Sequence, residues 1–214
     1  MSKYLLLIAL TCSPCYAERI NISNFDRLGL THWEAKIFQH KTDYQLRRED
    51  GRTILHASAN SSASGLVLKQ KIDLRKTPYL HWQWKVPVAS SNIAEQTKAG
   101  DDFSARIYLI VSAGVLFWQT RALNYVWASK ADKLTLWDNP YSGQAKMLAL
   151  RNEHDIHGAW QQETRNVRAD LRRAFGDDIS HIDAITIMTD SDNTQTSKHA
   201  SYAEIWFSSD ADGN

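Results

Sequence analysis

The chain has 214 residues, 43% of them hydrophobic, and sets 25 Lys and Arg against 24 Asp and Glu for a formal net charge of +1. That balance excludes a phosphate-tracking nucleic-acid binder, which needs a basic surplus gathered in runs; the longest basic cluster, Arg165 to Arg173, is interrupted by Asp170. Both cysteines, Cys12 and Cys15, precede residue 18, so disulfides and thiolate metal sites are excluded from everything that follows.

Met1 to Ala17 reads as a cleaved secretory signal. Lys3 precedes an apolar run, Tyr4 to Leu10, and Cys15-Tyr16-Ala17 places small residues where a signal peptidase inspects the chain. The run is far shorter than the roughly 20 residues a membrane span needs, so the expectation is export, periplasmic or extracellular, without a transmembrane segment. A lipidation signal would put a small residue before its acceptor cysteine, whereas Cys12 follows Thr11 and Cys15 follows Pro14. The remainder, 18–214, is long enough to bury one core and reads as a single domain held by packing.

After the leader the dominant period is two. Tyr44 to Arg48 and Arg52 to Ala59 alternate on either side of Asp50-Gly51, the dipeptide of a tight primed hairpin. Leu66 to Ile72 follows. In Tyr79 to Val86, Leu80, Trp82, Trp84 and Val86 take one face while Tyr79, His81, Gln83 and Lys85 take the other, the signature of a half-buried strand with Trp82 and Trp84 in the core. Pro87 closes that strand, and the polar stretch Ala89 to Asp102 is a long loop of the kind that borders a site. Further strands read at Ala105 to Ser112, Leu123 to Ala128, Lys146 to Arg151, Gln161 to Val167, Ile182 to Thr189 and Tyr202 to Ser208, about ten in all.

One helix interrupts the strands near residues 166–175. Val167, Leu171, Ala174 and Phe175 recur at helical spacing, the charged residues take the other face, Asn166 stands at the cap position, and Gly176 supplies the stop. Many short antiparallel strands with a single amphipathic helix predict an all-β antiparallel β-sandwich, jelly-roll-like, with an open barrel as the alternative.

Several segments carry a resemblance. Gly100-Asp101-Asp102-Phe103 with Arg106-Ile107-Tyr108, Ala122 to Trp127, Trp160 with Glu163, Arg165, Asn166 and Val167, Asp170, Phe175-Gly176, and Ile187 to Asp190 with Asp192-Asn193-Thr194 resemble a bacterial exported family known as domain of unknown function 3047. The resemblance runs from about Phe25 to Phe207 and implies no mechanism. The closing pattern, an Asp-Asn turn before the strand Tyr202 to Phe207, is also similar to the last hairpin of galactose-binding-like jelly rolls, which implies a sugar ligand.

The candidate site follows from the polar residues of those segments. Asp190, Asp192 and Asn193 put three oxygen-bearing side chains within four residues, which suits a capped turn, a calcium ion or a polyhydroxylated ligand. An EF-hand is excluded, because with Asp190 as position one, position six is Gln195 and position twelve is Ser201. Asp101 and Asp102 lead into a strand on which Arg106 and Tyr108 share a face, and an Arg fork binds a carboxylate or sugar hydroxyls at two points. Glu163 and Arg165 share a face of another strand. Trp118, Tyr125, Trp127, Trp137 and Tyr141 offer rings on which a pyranose can stack.

Common enzyme signatures are absent: no nucleophile elbow, phosphate loop, dinucleotide fingerprint or zincin helix occurs, and His154 and His157 lack a nearby third ligand. The expectation is therefore an exported protein that binds a carbohydrate or another cell-envelope ligand. Asp102, Arg106, Glu163, Arg165, Asp190 and Asn193 form the polar part of its pocket and Tyr125 or Trp127 the stacking wall. It needs no cofactor unless calcium sits at Asp190, Asp192 and Asn193. A carbohydrate-active enzyme is the alternative, either a glycosidase pairing Glu163 with Asp101, Asp102 or Asp190, or a lyase with Tyr108 or Tyr125 as base and Arg106 neutralising a uronate. A structural or adaptor protein of the envelope is the third reading.

Overall fold

A computed structural model describes residues 18–90, 93–112 and 120–213. The leader Met1 to Ala17 and the aromatic candidate Trp118 lie outside the described residues. Among those described there are thirteen strands: β1 (Arg19–Asn21), β2 (Glu34–Gln39), β3 (Asp43–Glu49), β4 (Arg52–Asn60), β5 (Ala63–Asp73), β6 (Tyr79–Lys85), β7 (Arg106–Val111), β8 (Arg121–Trp127), β9 (Leu136–Asn139), β10 (Ser142–Arg151), β11 (Gln161–Asn166), β12 (His181–Asp190) and β13 (Ser197–Ser208). Two helices accompany them, α1 (Phe25–Leu28) and α2 (Val167–Phe175). No helix among the described residues is long and apolar enough to cross a membrane.

The strands form a β-sandwich of two sheets. One runs β11-β6-β13-β4-β3 with β1 paired to β13, and the other runs β2-β5-β12-β7-β8-β10-β9. Every pair is antiparallel except β8 with β10. A parallel pair needs a crossover, and the segment from Ala128 through β9 supplies it by carrying the chain past the position that β10 then occupies. The β3–β4 hairpin turns through Asp50 and Gly51, with φ of 49° and 78°, the left-handed values a primed turn requires.

Alternation decides what each sheet face meets. In the seven-stranded sheet, one register row reads Leu66, Ile187, Ile107, Tyr125 and Leu148, and all five lie in the core shared with Leu55, Leu80, Trp82, Trp84, Tyr202 and Phe207 of the other sheet. The rows on either side point away from that core. They read Gly65, Met188, Arg106, Val126 and Ala149, then Val67, Thr186, Tyr108, Asn124 and Met147. The outer face of this sheet therefore carries Arg106 and Tyr108.

Helix α2 forms as its spacing predicts. The Asn166 side chain accepts from the Ala169 amide at 3.0 Å, Gly176 closes the helix in the left-handed region, and Val167 and Leu171 enter the core. The segment Thr189 to Thr194 differs from the expected last hairpin. β12 and β13 belong to different sheets, so residues 191–196 cross from one layer of the sandwich to the other.

Candidate functional site

Arg106 organises the polar end of the outer face. The residue is 1% exposed, and its five N–H donors are almost wholly committed. Nε donates to Asp190 Oδ1 at 2.8 Å and Nη2 to Asp190 Oδ2, the planar two-point contact of an Arg–carboxylate pair. Nη2 also donates to the Asp101 carbonyl at 2.5 Å, and Nη1 donates to the Tyr108 hydroxyl at 2.9 Å while lying 3.6 Å from the Asp101 carboxylate. A buried cation without these partners would be severely unstable, so the pair is mutually required.

Asp190 also accepts the Phe103 amide at 3.0 Å, fixing the approach of the 101–105 segment to the end of β12. Burial pushes its carboxyl up, to about 7, while the Arg106 guanidinium pulls it back down. Asp102 caps the crossing loop from a distance of some ninety residues in sequence. It accepts the Asn193 amide at 3.1 Å, the Thr194 amide at 2.6 Å and the Thr194 hydroxyl at 2.5 Å. The expected Asx turn is thus capped by Asp102, which leaves Asp190 and Asp192 free of that task.

The long loop before β7 is held just as firmly. Glu95 accepts the backbone amides of Ser129, Lys130 and Ala131, and Gly100 passes so close to the Ala94 carbonyl that a Cβ there would lie 2.5 Å from its oxygen. This places Asp101 at the border of a cleft of about 490 Å³, with the buried Asp102 next to it in the chain. Its lining includes Arg106, Tyr108, Met188 and Asp190 from the sheet, Phe38 and Gln39 from β2, and Asp101, Asn139, Tyr141, Asp192 and Asn193 from the surrounding segments. Phe38 and Tyr141 present rings 65% and 55% exposed. Tyr141 is pinned, because its hydroxyl donates to the Lys98 carbonyl at 3.2 Å and accepts from Asn193 Nδ2 at 2.7 Å. Asn139 Nδ2 reaches both oxygens of Asp101, at 3.2 and 3.1 Å.

The sequence candidates fall into two groups. Asp101, Asp102, Arg106, Asp190, Asp192 and Asn193 come together, with Tyr141 beside them. Glu163 and Arg165 do not join them. Glu163 accepts from Trp84 Nε1 at 3.0 Å and Arg151 Nε at 2.5 Å, and Arg165 grips Asp170 at 2.9 and 2.6 Å. Tyr125 and Trp127 are core residues, 0% and 4% exposed, because they share the inward face of β8 with Leu123; neither is a stacking wall. The Tyr125 hydroxyl donates to Asp170 at 2.8 Å, tying the inner side of β8 to α2. Trp137 packs against Phe103 at 6.4 Å in a small cluster on the outer face.

These contacts bear on the chemistry. Glu163 is engaged by Trp84 and Arg151 and lies outside the lining of the cleft that Asp101 and Asp190 border, so it belongs to a different network from the carboxylates it was paired with from sequence. Burial pushes the phenols of Tyr108 and Tyr125 upward, which disfavours either as a base at neutral pH. Asp102, Asp190 and Asp192 bring one carboxylate oxygen each within 4.8 Å of one another, a spacing compatible with a cation. Yet Arg106 already occupies both oxygens of Asp190, and the loop amides and hydroxyl occupy Asp102. A calcium ion would have to displace these donors.

With the geometry in place, comparison with known proteins assigns a family. Residues 31–206 match the family described as "Protein of unknown function (DUF3047)". The chain belongs to this family. No curated protein matches the chain. Among solved structures it is similar to the family 30 carbohydrate-binding module of the Clostridium thermocellum cellulosomal cellulase Cel9D-Cel44B. That match has a TM-score of 0.51 and 9% identity, over 84% of this chain and 92% of that one. It is also similar to the module CBM29-2 complexed with cellulohexaose, at TM-score 0.44 and 10% identity, over 94% and 97% of the two chains. A Rhodothermus marinus-derived Cel12A cellulase matches at TM-score 0.47 and 7% identity, over 88% and 97%. At such identities the likeness to the family 30 module is one of fold, and this DUF3047 member is a β-sandwich of that kind.

Proposed function

We propose that this DUF3047 protein is exported and binds a carbohydrate in the cleft above Arg106 and Asp190. The observation that carries the reading is the composition of that cleft. Exposed rings of Phe38 and Tyr141 stand beside Asn139, Asn193, Asp101 and Asp192 within about 490 Å³, the volume range of small-ligand sites. Sugars need this combination, because their C–H faces pack on rings while their hydroxyls demand donors and acceptors fixed in direction. Arg106 and Asp102 act as positioning residues: one fixes the Asp190 and Tyr108 side chains, the other fixes the loop that bears Asp192 and Asn193. Export rests on the signal-like Met1 to Ala17, and intact-mass measurement of the secreted protein tests cleavage after Ala17.

Screening the purified protein on a glycan array, with and without EDTA, tests the binding. The expected result is binding to at least one glycan class that EDTA leaves unchanged and that Tyr141→Ala weakens about tenfold, the scale of one lost aromatic contact. Absence of binding to every glycan removes the reading. Loss of binding in EDTA transfers Asp102, Asp190 and Asp192 to a calcium site.

A further inference from the structure

The cleft's charge narrows the class of sugar. It is lined by three carboxylates, Asp101, Asp190 and Asp192, and by one cation, Arg106. Asp102 and Lys198 lie behind this lining, both nearly inaccessible, and Lys198 Nζ donates to Ser90 Oγ at 2.6 Å. Arg106 has spent its donors on Asp190, the Asp101 carbonyl and Tyr108, so it presents no fork to an incoming carboxylate. A uronate entering here would meet Asp101 and Asp192 and find no free guanidinium to fork its carboxylate.

The carboxylates differ in how far they are satisfied. Asp190 is forked by Arg106, and Asp101 is held by Asn139 Nδ2 with Arg106 Nη1 at 3.6 Å. Asp192 has neither arrangement. No Lys, Arg or His among the described residues forms an ion pair with it, and its oxygens approach those of Asp102, a like charge. It is half-buried at the mouth of the cleft, beside Asn193 and within reach of the wall that Tyr141 forms. Burial and the neighbouring Asp102 raise its proton affinity, and the more distant Arg106 lowers it without forming an ion pair.

We infer that the cleft selects a sugar bearing a protonated amine, with the ammonium group at Asp192 and the ring against Tyr141 and Phe38. This rests on the carbohydrate reading above and adds the ligand's charge to it. An ammonium donates three hydrogen bonds from a compact positive charge, which suits a half-buried carboxylate next to a second one. A neutral hydroxyl in that place would leave the Asp102–Asp192 repulsion uncompensated.

The test compares three oligosaccharide hexamers by calorimetric titration at about pH 6: glucosamine, N-acetylglucosamine and galacturonate. The first two share a skeleton and differ in the charge of the nitrogen. The expected result is glucosamine-hexamer affinity at least about tenfold above the N-acetyl form, no measurable galacturonate binding, and a steep fall of the glucosamine affinity with added salt. Asp192→Asn should abolish the preference for the glucosamine hexamer over the N-acetyl form. Equal affinity for the two glucosamine-based hexamers, or tighter binding of galacturonate, overturns the inference and leaves the carbohydrate reading standing. Preference retained in Asp192→Asn also overturns it, because the ammonium would then sit elsewhere. Failure of all three hexamers together with an empty glycan array overturns both readings.

Discussion

Two regions of arginine–carboxylate pairing, one around Arg165 and one around Arg106, differ in what they enclose. Around Arg165, the Asp170 carboxylate is gripped by the guanidinium and by the Tyr125 hydroxyl, and nearby Glu163 closes on Trp84 and Arg151. These contacts tie β11 and α2 to β8 and β10 of the opposite sheet, so they act across the core. Around Arg106, the partners lie on the outer face and open onto a cleft, and one carboxylate, Asp192, is left without a cation. The same chemical pair serves as a clasp between layers in one place and as the floor of a cleft in the other. Saturation separates them: a network with every charge answered has nothing left for a ligand.

The largest expected effect breaks the buried pair. Arg106→Met leaves Asp190 unpaired beneath the cleft and should cost about 3–5 kcal/mol, the penalty for breaking a buried ion pair from one side. Arg165→Met removes a guanidinium whose side chain is 25% exposed, and Tyr125 still donates to Asp170, so its cost should be about 1–2 kcal/mol. Urea unfolding of the two variants measures the difference. Equal losses would mean that the Arg106 network is no more deeply committed than the clasp.

Titration sharpens the contrast next. The folded-state carboxyl of Asp190 is pushed to about 7, above the roughly 3.9 of an unfolded aspartate. The folded state therefore binds this proton more tightly. Its contribution to stability is complete below about pH 4 and fades as the pH climbs toward 7, at about 1.4 kcal/mol per unit of the gap. Carbon-13 NMR of the side-chain carboxyls should show one aspartate titrating near neutrality, assigned to Asp190. A midpoint below about 4 would show that Arg106 outweighs burial.

The architecture was legible because it depends on alternation, and the site was legible only in part because it depends on what alternation brings together. All ten strands read from the sequence form, most of them because apolar residues at every second position face a common core, while β11, Gln-Gln-Glu-Thr-Arg-Asn, pairs with β6 at the sheet edge without an apolar face. β2 was missed: Glu-Ala-Lys-Ile-Phe-Gln is exposed along its length at a sheet edge, so no face had to be apolar. With β2 went Phe38, a wall of the cleft. β1 and β9, three and four residues long, are too short to show a period. Tyr125 and Trp127 were placed wrongly for a reason visible in the sequence. They share the parity of Leu123, and the parity that buries Leu123 buries them. The convergence of Asp102, Arg106, Asp190 and Asn193 joins segments some ninety residues apart, and sequence separation alone does not carry such information.

The smallest expected effect separates two asparagines, one from each region. Asn166 caps α2 with its side chain on the Ala169 amide, and Asn166→Ala should cost about 1 kcal/mol of stability while leaving glycan binding unchanged. Asn193 holds only the exposed Tyr141 hydroxyl with its side chain, and its backbone amide stays on Asp102 whatever the side chain is. Asn193→Ala should therefore shift stability by less than about 0.5 kcal/mol, as surface changes do, yet weaken glycan binding by loosening Tyr141 and removing a ligand-facing amide. Urea midpoints and glycan titrations of both variants should cross: the stability loss falls on one asparagine and the affinity loss on the other. If Asn193→Ala loses stability and keeps its affinity, the Asn193 loop is a structural turn and contributes nothing to the cleft's binding wall.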